Sequence, residues 1–366
     1  MILASESGGT PQNSLQQFVQ QLGMLMTTWQ ATTFLIGEYF SENDANPVFT
    51  VADGLIWLRQ SVQRNSMVRK MEILKMRGQA TLPGLHTYRI GSAGIEVFAP
   101  AGAVAPEQAA ATATAPAPGA RALLGVPGID EMLGGGLPRG YSLLVAGPSG
   151  SSKSILAASF LAEGARRGET GVIAAFEQRP NRERNRLLAD LIASGNVTLL
   201  NSQAPDLSID EIVYLLIGEI RRHHASRVVI DSLSGFELAL APTFRDDFRE
   251  SLLRLVTALS QVGVTVLMTS ELEDRYTDLR FSPYGTAFLT DAIIVQRYIE
   301  VESRLRRVMA VIKVRASAHS DDLREYSIDA DGIHIGLKLP DEEGLLGGRP
   351  TRKGGPRPPA AVAQRG

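Results

Sequence analysis

The sequence predicts an α/β fold whose mostly parallel sheet carries an antiparallel extension at one edge, preceded by a partial second copy of the same fold. Three observations predict it. Short apolar runs alternate with helical segments between residues 121 and 291, the pattern changes to strand after strand from Ala292 onward, and residues 1–98 repeat part of what lies downstream. Continuous apolar runs alternating with helices argue for parallel strands covered on both faces.

Within the complete copy, residues 121–337, the run Tyr141 to Ala146 reads as a strand and Lys153 to Arg167 as a helix. Gly171 to Phe176 is the next strand. Ser208-Ile-Asp-Glu211 is a capping-box pattern that opens an amphipathic helix reaching His223. Val228 to Asp231 and Val264 to Thr269 read as buried strands, with a helix over Phe244 to Ser260 between them.

The repeat is set by spacing. Asp53 and Asp291, Lys75 and Lys313, Arg77 and Arg315, Tyr88 and Tyr326, and Gly94 and Gly332 each lie 238 residues apart. Further upstream, Gln20-Gln-Leu-Gly and Leu25-Met-Thr-Thr match Ser260-Gln-Val-Gly and Leu267-Met-Thr-Ser at slightly shifted offsets, which places Met24 and Met26, like Met268, in strand core. Residues 1–98 therefore read as the C-terminal part of a domain without its front half. A truncated first domain is the favoured explanation, because loss of the central strands exposes sheet edges; an interaction appendage is the alternative. Residues 99–120, rich in Ala and Pro, form a linker, and residues 338–366 a disordered tail.

Composition narrows the function classes. The 366 residues are 44% apolar and 21% charged, and 37 basic against 39 acidic side chains give a formal charge of −2. No global field favours nucleic acid or an anionic membrane. Cysteine is absent, which removes disulfides and thiolate metal sites, and the five histidines are scattered. No run of eighteen apolar residues or signal-peptide order occurs, so the reading is cytoplasmic.

Gly147-Pro148-Ser149-Gly150-Ser151-Ser152-Lys153-Ser154 follows an apolar strand and opens a helix, the context that gives a phosphate-binding loop its meaning. Backbone amides and the helix N-terminus would cradle phosphate oxygens, Lys153 would reach the β- and γ-phosphates, and the Ser154 hydroxyl would hold Mg²⁺. Ser152 stands where the second glycine of the motif is expected. If that backbone requires positive φ, a side chain there costs roughly 1–2 kcal/mol. Asp231, closing a buried strand, is the expected carboxylate for Mg²⁺, and Glu177 the candidate for activating water. Thr269, Ser270 and Glu271 are candidate γ-phosphate sensors. Arg179, Arg182, Arg184 and Arg186, interrupted by Glu183, read as a solvated helix face, and Gly134-Gly-Gly136 as a flexible turn.

Leu124-Gly-Val-Pro-Gly-Ile-Asp-Glu-Met-Leu-Gly-Gly-Gly-Leu-Pro-Arg-Gly140, the loop itself, Phe176-Glu177, Arg227-Val-Val-Ile-Asp-Ser-Leu233 and Lys313-Val-Arg-Ala-Ser-Ala-His319 together resemble the KaiC-like branch of the RecA superfamily. The resemblance covers nearly all of 121–337 and recurs over 15–98. It implies a RecA-like core that binds ATP with Mg²⁺, and a homohexameric ring with nucleotide between subunits. It also gives Lys313 and Arg315 a role as basic residues reaching a neighbour's γ-phosphate. The implied activity is slow ATP hydrolysis in a signalling or regulatory assembly. A serine/threonine autokinase, a nucleotide-switched pseudo-ATPase and a DNA-dependent ATPase are the rivals. Two departures bear on these. Gln178 replaces the second member of a glutamate pair beside Glu177, and Ala287 and Phe288 occupy the positions of the Ser-Thr pair that the clock protein phosphorylates.

Overall fold

The computed structural model describes residues 11–38, 47–63, 66–100, 119–176, 185–200, 206–245, 247–272, 288–301, 303–339, 342–343 and 351–352. It divides into two compact units, residues 1–60 with 69–97 and residues 61–68 with 98–366. Most of the 99–120 segment and of the 338–366 tail lies outside the described residues; within the tail, Glu342–Glu343 pairs with Thr351–Arg352.

The larger unit is built on a nine-stranded sheet. In chain order its elements are β5 (Arg121–Ala122), α3 (Pro127–Met132), β6 (Leu137–Pro138), β7 (Ser142–Gly147), α4 (Lys153–Arg166), β8 (Gly171–Ala175), α5 (Arg186–Ala193), β9 (Val197–Leu200) and α6 (Ile209–His223). There follow β10 (Arg227–Asp231), α7 (Leu233–Ala239), α8 (Pro242–Arg245), α9 (Phe248–Val262), β11 (Thr265–Glu271), β12 (Ala292–Val301), β13 (Arg304–Val314), β14 (Arg324–Asp329) and β15 (Gly332–Lys338). The spatial order is β15-β14-β13-β12-β7-β11-β10-β8-β9. Strands β12, β7, β11, β10, β8 and β9 run parallel, and β13 to β15 continue antiparallel, as the sequence predicts.

Both faces of the parallel part are buried, and alternation along β7 shows how. Leu144 and Ala146 pack with Leu216 of α6 and Leu252, Leu255 and Leu259 of α9. Leu143 and Val145 pack with Leu156, Phe160 and Leu161 of α4 on the opposite face. The helices are delimited by local chemistry. Ser208 Oγ accepts from Glu211 N–H at 3.1 Å to cap α6, and Gly263, at φ 78°, ends α9 in the left-handed region. The helix expected over 244–260 is two, α8 and α9. Gly134-Gly-Gly136, read as a flexible turn, is a specific one, since Gly135 N–H and Gly136 N–H both donate to Asp130 O at 2.8 and 3.0 Å.

At the amino ends of the strands, Arg227 is a fully buried cation. Its Nε meets Glu169 at 2.5 Å, its Nη1 donates to Leu123 O and Phe160 O at 2.6 and 2.7 Å, and its guanidinium lies over the Phe160 ring. Arg139 also pairs with Glu169. A buried charge is tolerated only with such pairing. Burial works to raise the Glu169 carboxyl, but Arg227 and Arg139 outweigh it and hold it below its ordinary value. Gly164 makes room: a Cβ there would fall 2.5 Å from Arg227 Cδ.

The smaller unit holds α1 (Pro11–Thr28), α2 (Pro47–Val51) and, apart from residues 61–68 and Phe98, a sheet of β1 (Gly54–Gln63), β2 (Ser66–Met76), β3 (His86–Gly91) and β4 (Gly94–Phe98), in that spatial order. Each of these four strands begins 238 residues before one of β12 to β15. Upstream the correspondence changes. Leu25-Met-Thr-Thr, matched by sequence to strand β11, is helical, and Met24 is 68% exposed instead of buried in strand core. Strand β11 is paired on both sides by β7 and β10. Among the described residues the smaller unit's sheet has no counterparts of these two strands, so the helix preceding this stretch simply continues.

On α4, the Arg166 guanidinium beside Glu163, against the opposing effect of burial and with further help from Arg167, holds the carboxyl down to about 2 from an ordinary 4.5. A carboxylate depressed in this way adds stability above pH 4.5 that is lost as the pH falls toward 2. Glu163→Gln is therefore expected to cost ~1 kcal/mol at neutral pH. Urea midpoints should show the variant losing less than the parent across that acid window; parallel pH profiles would show that Glu163 contributes nothing there.

Candidate phosphate-binding site

The loop between β7 and α4 is built by three backbone constraints. Gly147 ends β7 against β12, where an added Cβ would meet Ser151 Oγ at 2.8 Å and Gln296 Cβ at 2.9 Å. Gly150 turns the chain at φ 77°. Ser152, the residue in place of the expected glycine, sits at φ 71° and ψ 31°. The position does require the left-handed region, and Ser152 adopts it without a capping bond from its hydroxyl. From Ser152 the carbonyl accepts Ile155 N–H and Leu156 N–H, and α4 begins. Its first-turn amides provide the partial positive charge that suits an anion.

Lys153 Nζ donates to Gly147 O and Pro148 O, both at 2.8 Å, so the ammonium lies on the loop's own carbonyls. Ser154 is exposed, and its carbonyl accepts from Asn185 Nδ2 at 3.3 Å. Asp231 ends β10, one strand away from β7, and the intervening β11 bridges the gap: Thr269 Oγ1 donates to Asp231 Oδ1 at 2.5 Å. Ser270 is fully buried, and its hydroxyl has no hydrogen-bond partner among the described residues. Glu271 is exposed opposite Gly147 in the ladder, and Leu272 N–H donates to Gly147 O at 3.1 Å. The Ser154 hydroxyl, the Asp231 carboxylate and the Lys153 ammonium are groups of the kind that a Mg²⁺-nucleotide takes, since Mg²⁺ keeps several waters and needs few protein ligands.

Not every expected residue gathers here. Glu177 and Gln178, Arg179, Arg182, Arg184 and Ala287 lie outside the described residues; Arg186 starts α5. Lys313 and Arg315 are described and stand elsewhere. Arg315 Nη1 meets Asp291 Oδ1 at 3.3 Å, and Asp291 is bonded to Ser142, the first residue of β7. That end of β7 is about 17 Å from the loop end, at ~3.3 Å per residue. The Lys313 ammonium is pushed down from its ordinary value by burial and then by Arg315, with Asp291 opposing.

Sequence reasoning missed the supports under the loop. Gln296 of β12, fully buried, accepts from Ser151 Oγ at 3.0 Å. Tyr326 of β14 donates to Ser151 O at 2.8 Å, and burial pushes its hydroxyl above the ordinary range, which keeps it a neutral donor. The available signal was a glutamine inside the apolar run Ile-Ile-Val-Gln. Such a residue has to find a partner when buried.

Comparison with known proteins supplies independent findings. The model of the KaiC ATPase family matches residues 6–102 and again 123–339. The circadian clock oscillator protein KaiC of Rippkaea orientalis is 30% identical over 342 residues, covering 92% of this chain and 64% of that protein. Its counterpart in Picosynechococcus is 29% identical with the same coverage. The circadian clock protein KaiC3 of Synechocystis is 28% identical over 306 residues, 82% of this chain and 59% of that protein. The chain thus spans somewhat under two thirds of the length of these relatives.

Two outcomes are expected of the loop. Ser152→Gly should raise stability by ~0.5–1 kcal/mol, the left-handed cost being relieved but partly offset by glycine's greater freedom when unfolded. A lower urea midpoint would contradict strain at this residue. Tyr326→Phe should cost about 1–3 kcal/mol by leaving the buried Ser151 carbonyl without its donor; an unchanged midpoint would show that this bond contributes nothing.

Proposed function

The chain belongs to the KaiC ATPase family, and we propose that it binds Mg·ATP at the Gly147–Ser154 loop and hydrolyses it slowly within a homohexameric ring. The observation that carries this reading is the loop itself. Its curvature is kept through Ser152 at positive φ, it is braced from beneath by Gln296 and Tyr326, and it delivers Lys153 to the mouth of a helix N-terminus.

In this reading Lys153 exchanges its two carbonyl acceptors for β- and γ-phosphate oxygens. Ser154 and Asp231 hold Mg²⁺, with Thr269 fixing the orientation of the Asp231 carboxylate. Glu177 activates the attacking water. Lys313 and Arg315 serve the nucleotide of the neighbouring subunit. The attachment of Arg315 to Asp291, beside the first residue of β7, supports action in trans for this residue, because its side chain cannot span the strand to reach the loop of its own chain. Cations brought across an interface would offset charge on the transferring phosphoryl group. Residues 1–98 are read as a partial second copy that contributes no phosphate loop of its own. The ring's role in signalling, its protein partners and its place in the cytoplasm belong to the same proposal. Among the described residues no helix is long and apolar enough to cross a membrane.

Steady-state phosphate release from Mg·ATP by the full chain, beside Lys153→Ala and Glu177→Gln, tests the reading. Turnover in the parent and a loss of at least about 100-fold in both variants is expected. A parent that binds ATP but is as silent as its variants would replace hydrolysis with a nucleotide-switched assembly.

A further inference from the structure

We propose that Asp291 is a positioning residue for Arg315, holding its guanidinium in place and tying it to the start of the strand whose other end carries the phosphate loop. This rests on the reading of Arg315 as acting on a neighbour's nucleotide. The carboxylate is fixed first. Asp291 Oδ2 accepts from Ser142 N–H and Ser142 Oγ, both at 2.9 Å. In return Asp291 N–H donates to Ser142 O at 2.9 Å and Ser142 Oγ at 3.1 Å. Ser142 is buried. With Oδ2 committed to β7, the other oxygen, Oδ1, is turned toward Arg315 Nη1 at 3.3 Å.

Arg315 is then held at two further points. Its backbone N–H donates to Asp291 O at 2.9 Å, and its Nη2 donates to Phe288 O at 2.5 Å. Two of the five guanidinium N–H groups are used in these side-chain bonds, which leaves donors for a phosphate oxygen. A half-exposed ion pair of this kind adds little to stability. Its distinctive effect is geometric: it restricts rotamers that a free arginine side chain would have to give up on engaging the phosphate.

The same device occurs where there is no phosphate loop for it to be tied to. In the smaller unit Arg77 N–H donates to Asp53 O at 2.9 Å and Arg77 Nη1 meets Asp53 Oδ1 at 3.0 Å. The aspartate–arginine latch is therefore a property of the strand pair that carries it. Among the described residues, only in the larger unit is it also bolted to the strand that precedes the Gly147–Ser154 loop. Asp53 thus provides a control for loss of an equivalent ion pair.

The test is ATP turnover by the full chain over a range of Mg·ATP concentrations, for Asp291→Asn, Arg315→Ala, the double variant and Asp53→Asn. Asp291→Asn should lower kcat by about 10- to 100-fold, the scale of a small misplacement of a reacting group, with KM little changed. The double variant should be no worse than Arg315→Ala alone, and Asp53→Asn should match the parent. Multiplying losses in the double variant, or normal turnover in Asp291→Asn beside an impaired Arg315→Ala, would overturn the positioning role. Normal turnover in Arg315→Ala would instead remove the trans reading on which the role rests. If Asp291→Asn does not fold, Ser142→Ala, which removes one of the two donors to Oδ2 while sparing the ion pair, should show a smaller loss that again does not multiply with Arg315→Ala. If the parent binds without turnover, dissociation of a fluorescent ATP analogue replaces kcat: Asp291→Asn should speed release as Arg315→Ala does, and an unchanged rate beside a faster Arg315→Ala would overturn the role.

Discussion

Strand β7 has to be buried on both faces, paired on both edges and still deliver a glycine at its end. Most of the larger unit follows from these demands. Its six residues are all buried, and β11 and β12 close its two edges. Close approach of Gly147 to Gln296 leaves no room for a side chain, so the loop leaves the sheet at one place and in one direction. Helix α4 on one face and α6 with α9 on the other supply the apolar cover that makes such a strand affordable in free energy. The loop is thus set by the strand behind it as much as by its own residues.

The antiparallel extension contributes more than width to the sheet. Through Gln296 and Tyr326 it reaches under the loop, and through Asp291 it grips the first residue of β7. The smaller unit repeats the extension strand for strand. Tyr326 corresponds there to Tyr88, but Gln296 corresponds to Leu58, so the polar support beneath a loop is only partly retained. The same comparison shows tertiary context overriding local pattern: Leu25-Met-Thr-Thr is helix, whereas Leu267-Met-Thr-Ser is a strand fully enclosed by its neighbours.

Legibility in the sequence followed the range of the physics involved. The parallel core, its antiparallel edge, the turn between β7 and α4 and the place of Asp231 at the end of β10 were legible because each rests on local periodicity or on a motif in its proper context. The φ of Ser152 could be posed only as a condition, since a serine does not announce a left-handed backbone. Gln296, Tyr326 and Thr269 act across 145, 175 and 38 residues of chain, and no local pattern reports such partners. Arg227 stands just before the strand read over Val228 to Asp231; its burial among Glu169 and two carbonyls depends on packing that brings together residues 104 and 67 positions away.

Lys153 also has a hold on the curvature of its own loop. With its ammonium on Gly147 O and Pro148 O, the first residue of α4 fastens the carbonyls six and five positions before it, across the turn that Gly150 and Ser152 bend. Replacing this side chain therefore removes a clasp as well as a charge.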